Sequence, residues 1–462
     1  MSSWFQFVAQ HITTKSRRQS RRAVGLDLES LESRQLLTVN PLTVSSVADI
    51  TATGGKVSGE VASFVDAIAP VTTHDFKATI NWGDGTTSKG KVVAGTDGGF
   101  EVTGKHHYKV TGPREVTLTV SDNSGNTASD GAFQQTNLVS DQAGQAPVTD
   151  PNLVNAWGLA AAPNGPFWVN DNGTGVSTLY TGQGQINALV VTVPAPPGSQ
   201  DPATPTGIVF NGTADFAVTG GASHFIFATE DGTISGWNNG TAAELKVDNS
   251  ASGAVFKGLA MGTVGTDNFL YATDFHNGKI DVFDKNFAPV TPAGSFQVPK
   301  LEKGFAPFGI ENINGTLFVT YAKQDADKHD DVQGPGLGFV AEFKTDGTFI
   351  KTLVSKGPLN APWGVVQAPS NFGQFSNDLL VGNFGGGAIN AFDPQTGKFL
   401  GSVTDDTGHP IAISGLWGLS FGNDALAGPS NDLFFTAGPG GEAHGLFGDL
   451  VAVGLPTRVN IQ

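Results

Sequence analysis

The sequence predicts an all-β protein, a six-bladed β-propeller preceded by an immunoglobulin-like β-sandwich. Three observations carry this. A bulky residue, a glycine and an aliphatic residue recur six times, as Trp157–Gly158–Leu159, Thr206–Gly207–Ile208, Lys257–Gly258–Leu259, Phe308–Gly309–Ile310, Trp363–Gly364–Val365 and Trp417–Gly418–Leu419. The glycines lie 49 to 55 residues apart, a period of the kind that marks propellers and solenoids. Each repeat holds short apolar segments between turn-rich stretches with no helical periodicity of credible length, while residues 41–135 alternate with the period of two of half-buried strands.

Within a repeat, the motif strand comes first. A second strand ends in a polar residue, as in 167–171, 225–230, 269–274 and 379–383, and a third ends in an aromatic, as in 279–283, 339–343 and 388–392. A more polar fourth follows, such as 349–354 or 399–403. Glycine in the first strand fits a place where backbones crowd the axis. The sixth repeat runs short after 446–450, and 136–140 is a spare strand ahead of the first repeat. That strand is expected to complete the last blade and remove an exposed edge. The expected organisation is therefore a basic segment over 1–40, a sandwich over 41–135 and a propeller over 136–462.

The chain has 462 residues, no cysteine and a net charge of −16. Thiol catalysis, disulfides and cysteine-ligated zinc are excluded. Residues 1–37 carry a balance of +3, so the remainder carries −19. An acidic body disfavours nucleic acid and anionic membranes, whose binding rests on clustered Lys and Arg. No apolar run approaches the ~18–20 residues of a membrane span. Residues 1–40 open with Trp4, Phe5 and Phe7 and then turn basic, without the apolar core of a usual secretory signal.

Several stretches carry family resemblances. Leu31, Glu32, Arg34, Leu36 and Leu37, with Ser33 in place of proline, resemble the LEPRxLL motif of exported and surface proteins of some bacteria, which implies export. Trp82–Gly83–Asp84–Gly85, then His106–His107–Tyr108, Gly112 and the run from Val116 to Asp122, resemble a PKD domain, which implies an extracellular spacer or adhesive module. Asp84 and His106 are there read as a turn carboxylate and a packed histidine. Lys279–Ile280–Asp281–Val282–Phe283–Asp284 after Tyr271–Ala272–Thr273–Asp274 resembles NHL-type propeller repeats. Asn155–Ala156–Trp157–Gly158–Leu159 and the segments 167–175 and 322–329 resemble a family of exported bacterial propellers, some with PEP-CTERM tails. No such tail is expected of 457–462.

In this strand order the starts of first strands and ends of second strands share one face around the axis. That gathers Asn155, Trp157, Asn170, Asp171, Glu230, Asp274, His276, Phe308, Trp363, Asn383 and Trp417 as candidate ligand-binding residues, with Glu311 deeper in its strand. Such an oxygen-rich rim suits calcium over transition metals, although strand-end capping through Asx turns explains the same residues. The acidic run 325–331 offers Asp325, Asp327 and Asp331 as candidate metal ligands. It fails as an EF-hand, because Asp330 stands where the glycine belongs and Gly336 where the glutamate does. Gly418–Leu419–Ser420–Phe421–Gly422 fits G-x-S-x-G only by coincidence, since a nucleophile elbow needs a strand–turn–helix. No complete catalytic constellation is present. The expectation is a secreted or cell-surface binding protein of a bacterium, its partner a small molecule, glycan or surface protein. The alternatives are a calcium-dependent hydrolase or lactonase working in the channel and a structural cell-envelope component.

Overall fold

The computed structural model describes residues 42–46, 49–67, 71–95, 98–453 and 457–462. The LEPRxLL-like stretch and the rest of the 1–40 segment lie outside them. Four short 3-10 turns are the helical elements among the described residues, and everything else is strand or loop.

Six sheets form the propeller. Blade 1 runs Ala156–Ala161, Phe167–Asp171, Val176–Tyr180 and Val191–Thr192 from the axis outward. Blades 2 to 5 begin at Pro205–Phe210, Phe256–Val264, Phe305–Ile313 and Pro362–Gln367, and each has four antiparallel strands in sequence order. Blade 6 starts with Leu416–Phe421, Leu433–Ala437 and Leu446–Val453 and continues with Ala132–Ser140, which pairs antiparallel with Leu446–Val453 from Leu446↔Ser140 to Val453↔Ala132. The ring is thus closed by a strand from upstream of blade 1, four residues longer at its start than the sequence suggests.

The recurring glycine explains why the first strands can be innermost. A Cβ on Gly364 would stand 2.7 Å from the Trp417 carbonyl oxygen, and one on Gly418 would stand 2.6 Å from that of Trp157. Gly158 meets Thr206 O in the same way, Gly207 meets Leu259 N, Gly258 meets Phe308 O and Gly309 meets Trp363 O. Each first strand lies on the backbone of the next, around a full circle. Every first strand also breaks register with its second strand at or beside this glycine, as between Ala156 and Leu159 or Pro362 and Val365. Such a bulge re-aims the residue before the glycine. Side chains of the second strands reinforce the seams: Asn170 Nδ2 donates to Thr206 O at 3.0 Å and the Thr273 hydroxyl donates to Phe308 O at 2.7 Å.

The N-terminal strands form one nine-stranded sheet around a single core that includes Phe64, Ile80, Trp82, Val102, Leu118 and Val120. Trp82 is fully buried and its carbonyl accepts the Tyr108 hydroxyl at 2.9 Å. Asp84 accepts from Thr86 N and pairs with His106 at 2.9 Å, while His106 stacks on Trp82. These are the partners of a turn carboxylate and a packed ring.

One boundary needs correction. Residues 457–461, assigned from sequence to the propeller, leave it. Thr457–Ile461 lies in the N-terminal sheet, antiparallel to Gly112–Asp122 and parallel to Ile50–Ala52. Its alternating Thr457, Val459 and Ile461 are buried in the N-terminal core. The two parts also meet where Gln374 Nε2 donates to Gly131 O at 2.7 Å, Ser129 N donates to Asp406 O at 3.0 Å, and Phe133 packs on Phe372 and Phe375.

Two outcomes follow from these contacts. Gly364→Ala forces a methyl into the blade 6 backbone and is expected to lower stability by about 1–3 kcal/mol in urea titrations. Val459→Asp places an unpaired carboxylate in the N-terminal core, where burial of a charge is costly. Limited proteolysis should then cut within 42–129 before it cuts within 132–453.

Candidate functional site

The bulge at each glycine turns the preceding residue toward the axis, so the six repeats supply a ring: Trp157, Thr206, Lys257, Phe308, Trp363 and Trp417. Trp157 and Trp417 lie 3.7 Å apart by centroid, Trp363 stands edge-on to both at 6.2 and 6.0 Å, and Phe308 is 5.8 Å from Trp417. With Phe275 and Phe384 they form one aromatic plug across this end of the axis.

Blade 2 has Thr206 in the aromatic place, and blade 3 departs further with a charged residue there, Lys257. Its side chain is buried, with the ammonium 5.1 Å over the Trp157 ring. The ammonium donates to Glu230 Oε1 and, at 2.9 Å, to Asp330 Oδ1. Burial alone would lower the pKa of the amine, but the two carboxylates outweigh it and hold Lys257 above the usual lysine value. Lys257 is therefore a fixed cation rather than a nucleophile.

The network spreads from there. Glu230 also accepts Asn172 Nδ2 at 2.8 Å. Asn172 accepts Asn155 Nδ2 at 3.1 Å, which also donates to Glu442 at 2.8 Å. Asn155 Oδ1 accepts the indole N–H groups of Trp157 at 2.9 Å and Trp417 at 3.1 Å, so one amide, in a left-handed conformation, ties plug to rim. His329 Nδ1 lies 3.0 Å from Asp330. Burial pushes Asp331 up to about 7, and Glu442 is raised by burial first and then by Glu230 and Asp330 nearby. Four carboxylates thus surround one ammonium.

Of the residues expected on this face, Asn155, Trp157, Glu230, Phe308, Trp363 and Trp417 converge. Asn170 does not, being spent on the carbonyls of Thr206 and Gly207 inside the blade 1–2 seam. Asp171 is buried within blade 1, where it accepts the Thr178 hydroxyl at 2.8 Å. Asp274 accepts Val255 N and Asn277 N, and Asn383 accepts Asn360 N. Asp274 thus caps its own turn, the Asx role that competes with a binding role, while Asn383 ties blade 5 to the segment before its first strand. His276 sits in the turn after Asp274, its main-chain carbonyl accepting Gln324. Lys257, Asn172, Asp330, His329 and Glu442 were missed. Lys257 had a signal, since it is the one charged residue in the bulky position of the six repeats.

The metal expectation meets a physical objection. Asp325 Oδ1 accepts His329 N at 3.0 Å, which makes it a turn carboxylate, and Asp327 stands exposed. Among the described residues, the group whose ligand atoms lie within 4.8 Å of one another is Glu230, His329 and Asp330. Two of these three already hold the Lys257 ammonium. A metal ion would have to expel a buried cation, so the residues present do not fit calcium.

Sequence comparison relates the chain to proteins of Acanthamoeba polyphaga mimivirus. It is 34% identical to "Uncharacterized protein R648" over 329 residues, covering 68% of this chain and 78% of the relative. To "Uncharacterized protein L690" it is 33% identical over 330 residues, covering 68% and 84%. The chain belongs to this family. Both of these relatives of the family are viral, where the sequence resemblances imply exported bacterial proteins. No protein-family model matches. Similar solved structures include virginiamycin B lyase from Staphylococcus aureus, at 15% identity over 82% of this chain and 100% of that one with a TM-score of 0.36. A glucose dehydrogenase is 12% identical over 68% and 99%, with a TM-score of 0.41. Likeness at this level carries nothing about the reaction of this family member.

Lys257→Met leaves Glu230 buried without its counter-ion, and a loss of about 3–5 kcal/mol is expected in urea titrations near neutral pH. Asp330 is held below the usual carboxylate value by His329 first and then Lys257, despite some burial, and Lys257 is held above the usual amine value. The pair therefore stabilises the fold above the unfolded carboxylate pKa and below the unfolded lysine pKa. The gap between variant and wild type should hold from about pH 4 to pH 10 and shrink outside that window.

Proposed function

We propose that the chain is a binding protein of a cell surface or the extracellular space, whose propeller presents the Lys257 face to a glycan. The N-terminal sheet, on its PKD-like residues, serves as spacer or adhesive module, and the LEPRxLL-like stretch supports export. The observation that carries the reading is a cleft of about 320 Å³ beside the charged network. Phe384 lies in its floor, stacked on Trp417 at 4.0 Å, and the backbones of Gly386, Gly415, Gly438 and Gly441 line it. Gly438 abuts Asn155, and Gln333 brings the segment that follows Asp331 to the rim.

An aromatic floor and glycine backbones that let a ligand come close, with the carboxylates of the Lys257 network adjoining, suit a ligand that donates many hydrogen bonds. Sugar hydroxyls do so. A phosphate or carboxylate ligand is disfavoured by the four carboxylates around one ammonium. A calcium-dependent hydrolase is the rival reading, and the ammonium held by Glu230 and Asp330 weighs against it.

The test is a glycan array with the full chain, followed by calorimetry on each glycan retained. Phe384→Leu and Gln333→Ala, which change the floor and rim of the cleft, are expected to weaken binding tenfold or more while leaving the melting curve cooperative. Retention of no glycan, or variants that bind like wild type, defeats the reading.

A further inference from the structure

The other end of the axis has a different chemistry. Past the glycine ring, the first strands turn aliphatic: Leu159, Ile208, Leu259, Ile310, Val365 and Leu419 surround an axial cavity of about 30 Å³. That is room for one or two waters. Trp363 and the glycines also line it, so the plug closes the axis on that side. One residue further along each strand, the equivalent positions are Ala160, Val209, Ala260, Glu311, Val366 and Ser420, paired with Trp168, Ile226, Tyr271, Phe318, Leu380 and Phe434. Here the channel widens into a mouth of about 300 Å³. Five of the six blades contribute an alanine, a valine or a serine, and blade 4 contributes a carboxylate.

Glu311 stands exposed to the water of this mouth, with the walls of the channel around it. No charged side chain faces it from the first strand of any other blade, and among the described residues it has no ion-pair partner. Its polar neighbours are engaged elsewhere. Asn312 Nδ2 donates to Met261 O at 2.8 Å and its Oδ1 accepts Gly315 N, while the Ser420 hydroxyl lies 3.3 Å from Phe421 O. The backbone N–H of Asn312 is the one group favouring the charged form, and the protein packed around the channel outweighs it, pushing Glu311 up to about 7 despite its exposure. A lone carboxylate beside apolar walls, with no cation of the chain at hand, favours a cationic ligand as its partner. Nothing in the propeller's closure requires it, since Ala160 and Ala260 fill the equivalent place.

We propose that this mouth, on the far side of the plug from the Lys257 face, is a second binding site, for a small organic cation. A primary ammonium would pair with the Glu311 carboxylate, and its apolar body would lie on Val209, Ala260, Met261 and Val366. Asn314, Gln367 and Asn377 form a polar rim outside. The mouth admits a small ligand, at the lower end of the usual size of small-molecule pockets.

The experiment titrates the full chain by calorimetry at pH 8 with ethylamine, cyclohexylamine and benzylamine, and with benzyl alcohol as the uncharged match of benzylamine. An amine with a ring is expected to bind, and benzyl alcohol at least tenfold more weakly. Glu311→Gln should lose the same factor, while its melting midpoint at pH 8 stays level, because the exposed side chain holds no other element in place. Amine affinity should fall as pH drops from 8 to 5.5, since protonation of Glu311 removes the counter-charge while the amine stays charged. Absence of binding by all three amines, equal binding of benzylamine and benzyl alcohol, or undiminished binding to Glu311→Gln would overturn the proposal.

Discussion

A close approach between a glycine and the backbone of the neighbouring first strand is repeated six times around the axis. At five of the six positions a Cβ would stand under 3.0 Å from a carbonyl oxygen or amide nitrogen, and at Gly258 it would stand 3.1 Å from Phe308 O. The six positions constrain one another, since each strand is both the one that presses and the one pressed upon. Hydroxyl and amide side chains then lock the seams. The Thr206 hydroxyl donates to Phe256 O at 2.6 Å, and the Thr436 hydroxyl donates to Trp157 O and so joins the last blade to the first.

From this packing the Lys257 face follows. The register break that lets each glycine approach its neighbour also delivers the preceding side chain to the axis; Trp157, Phe308, Trp363 and Trp417 share an apolar plug, while Thr206 is spent on the seam with blade 3. The sixth is a lysine, and a buried ammonium demands counter-charge. Blade 2 supplies Glu230 from the end of its second strand, and the long loop of blade 4 supplies Asp330. The acidic insertion thereby has a physical role without any metal: it brings a carboxylate over the plug. The two ends of the axis are set apart by the same construction, one aromatic and charged, the other aliphatic with a lone glutamate.

The N-terminal sheet is tied to the propeller at both ends of the described chain. Ala132–Ser140 passes directly from one to the other, and Thr457–Ile461 returns after blade 6 to lie between two N-terminal strands. Asp130, buried at this junction, accepts the Leu118 N–H and is pushed up to about 7 by burial. The junction is thus built from backbone pairing and buried groups rather than from a flexible spacer, which bears on how a ligand held by one part would be oriented by the other.

By itself the sequence determined the repeat, the blade count, the strand that closes the ring and the four aromatic residues of the motif, Trp157, Phe308, Trp363 and Trp417, that meet at the plug. These are local signals, because glycine at a crowded backbone and alternation along a strand are written in neighbouring residues. It could not separate Asn155 and Glu230 from Asn170, Asp274 and Asn383, since an amide or carboxylate at a strand end looks the same whether it faces a ligand or caps a turn. Lys257 sat in plain view in the motif, but its meaning required Glu230 and Asp330, 27 and 73 residues away. The last strand, 457–461, alternates clearly enough, yet its partner lies more than three hundred residues earlier. Only tertiary structure decided these points, because they rest on which distant groups share a buried place, and electrostatic and hydrogen-bond partners are chosen by proximity in space rather than along the chain.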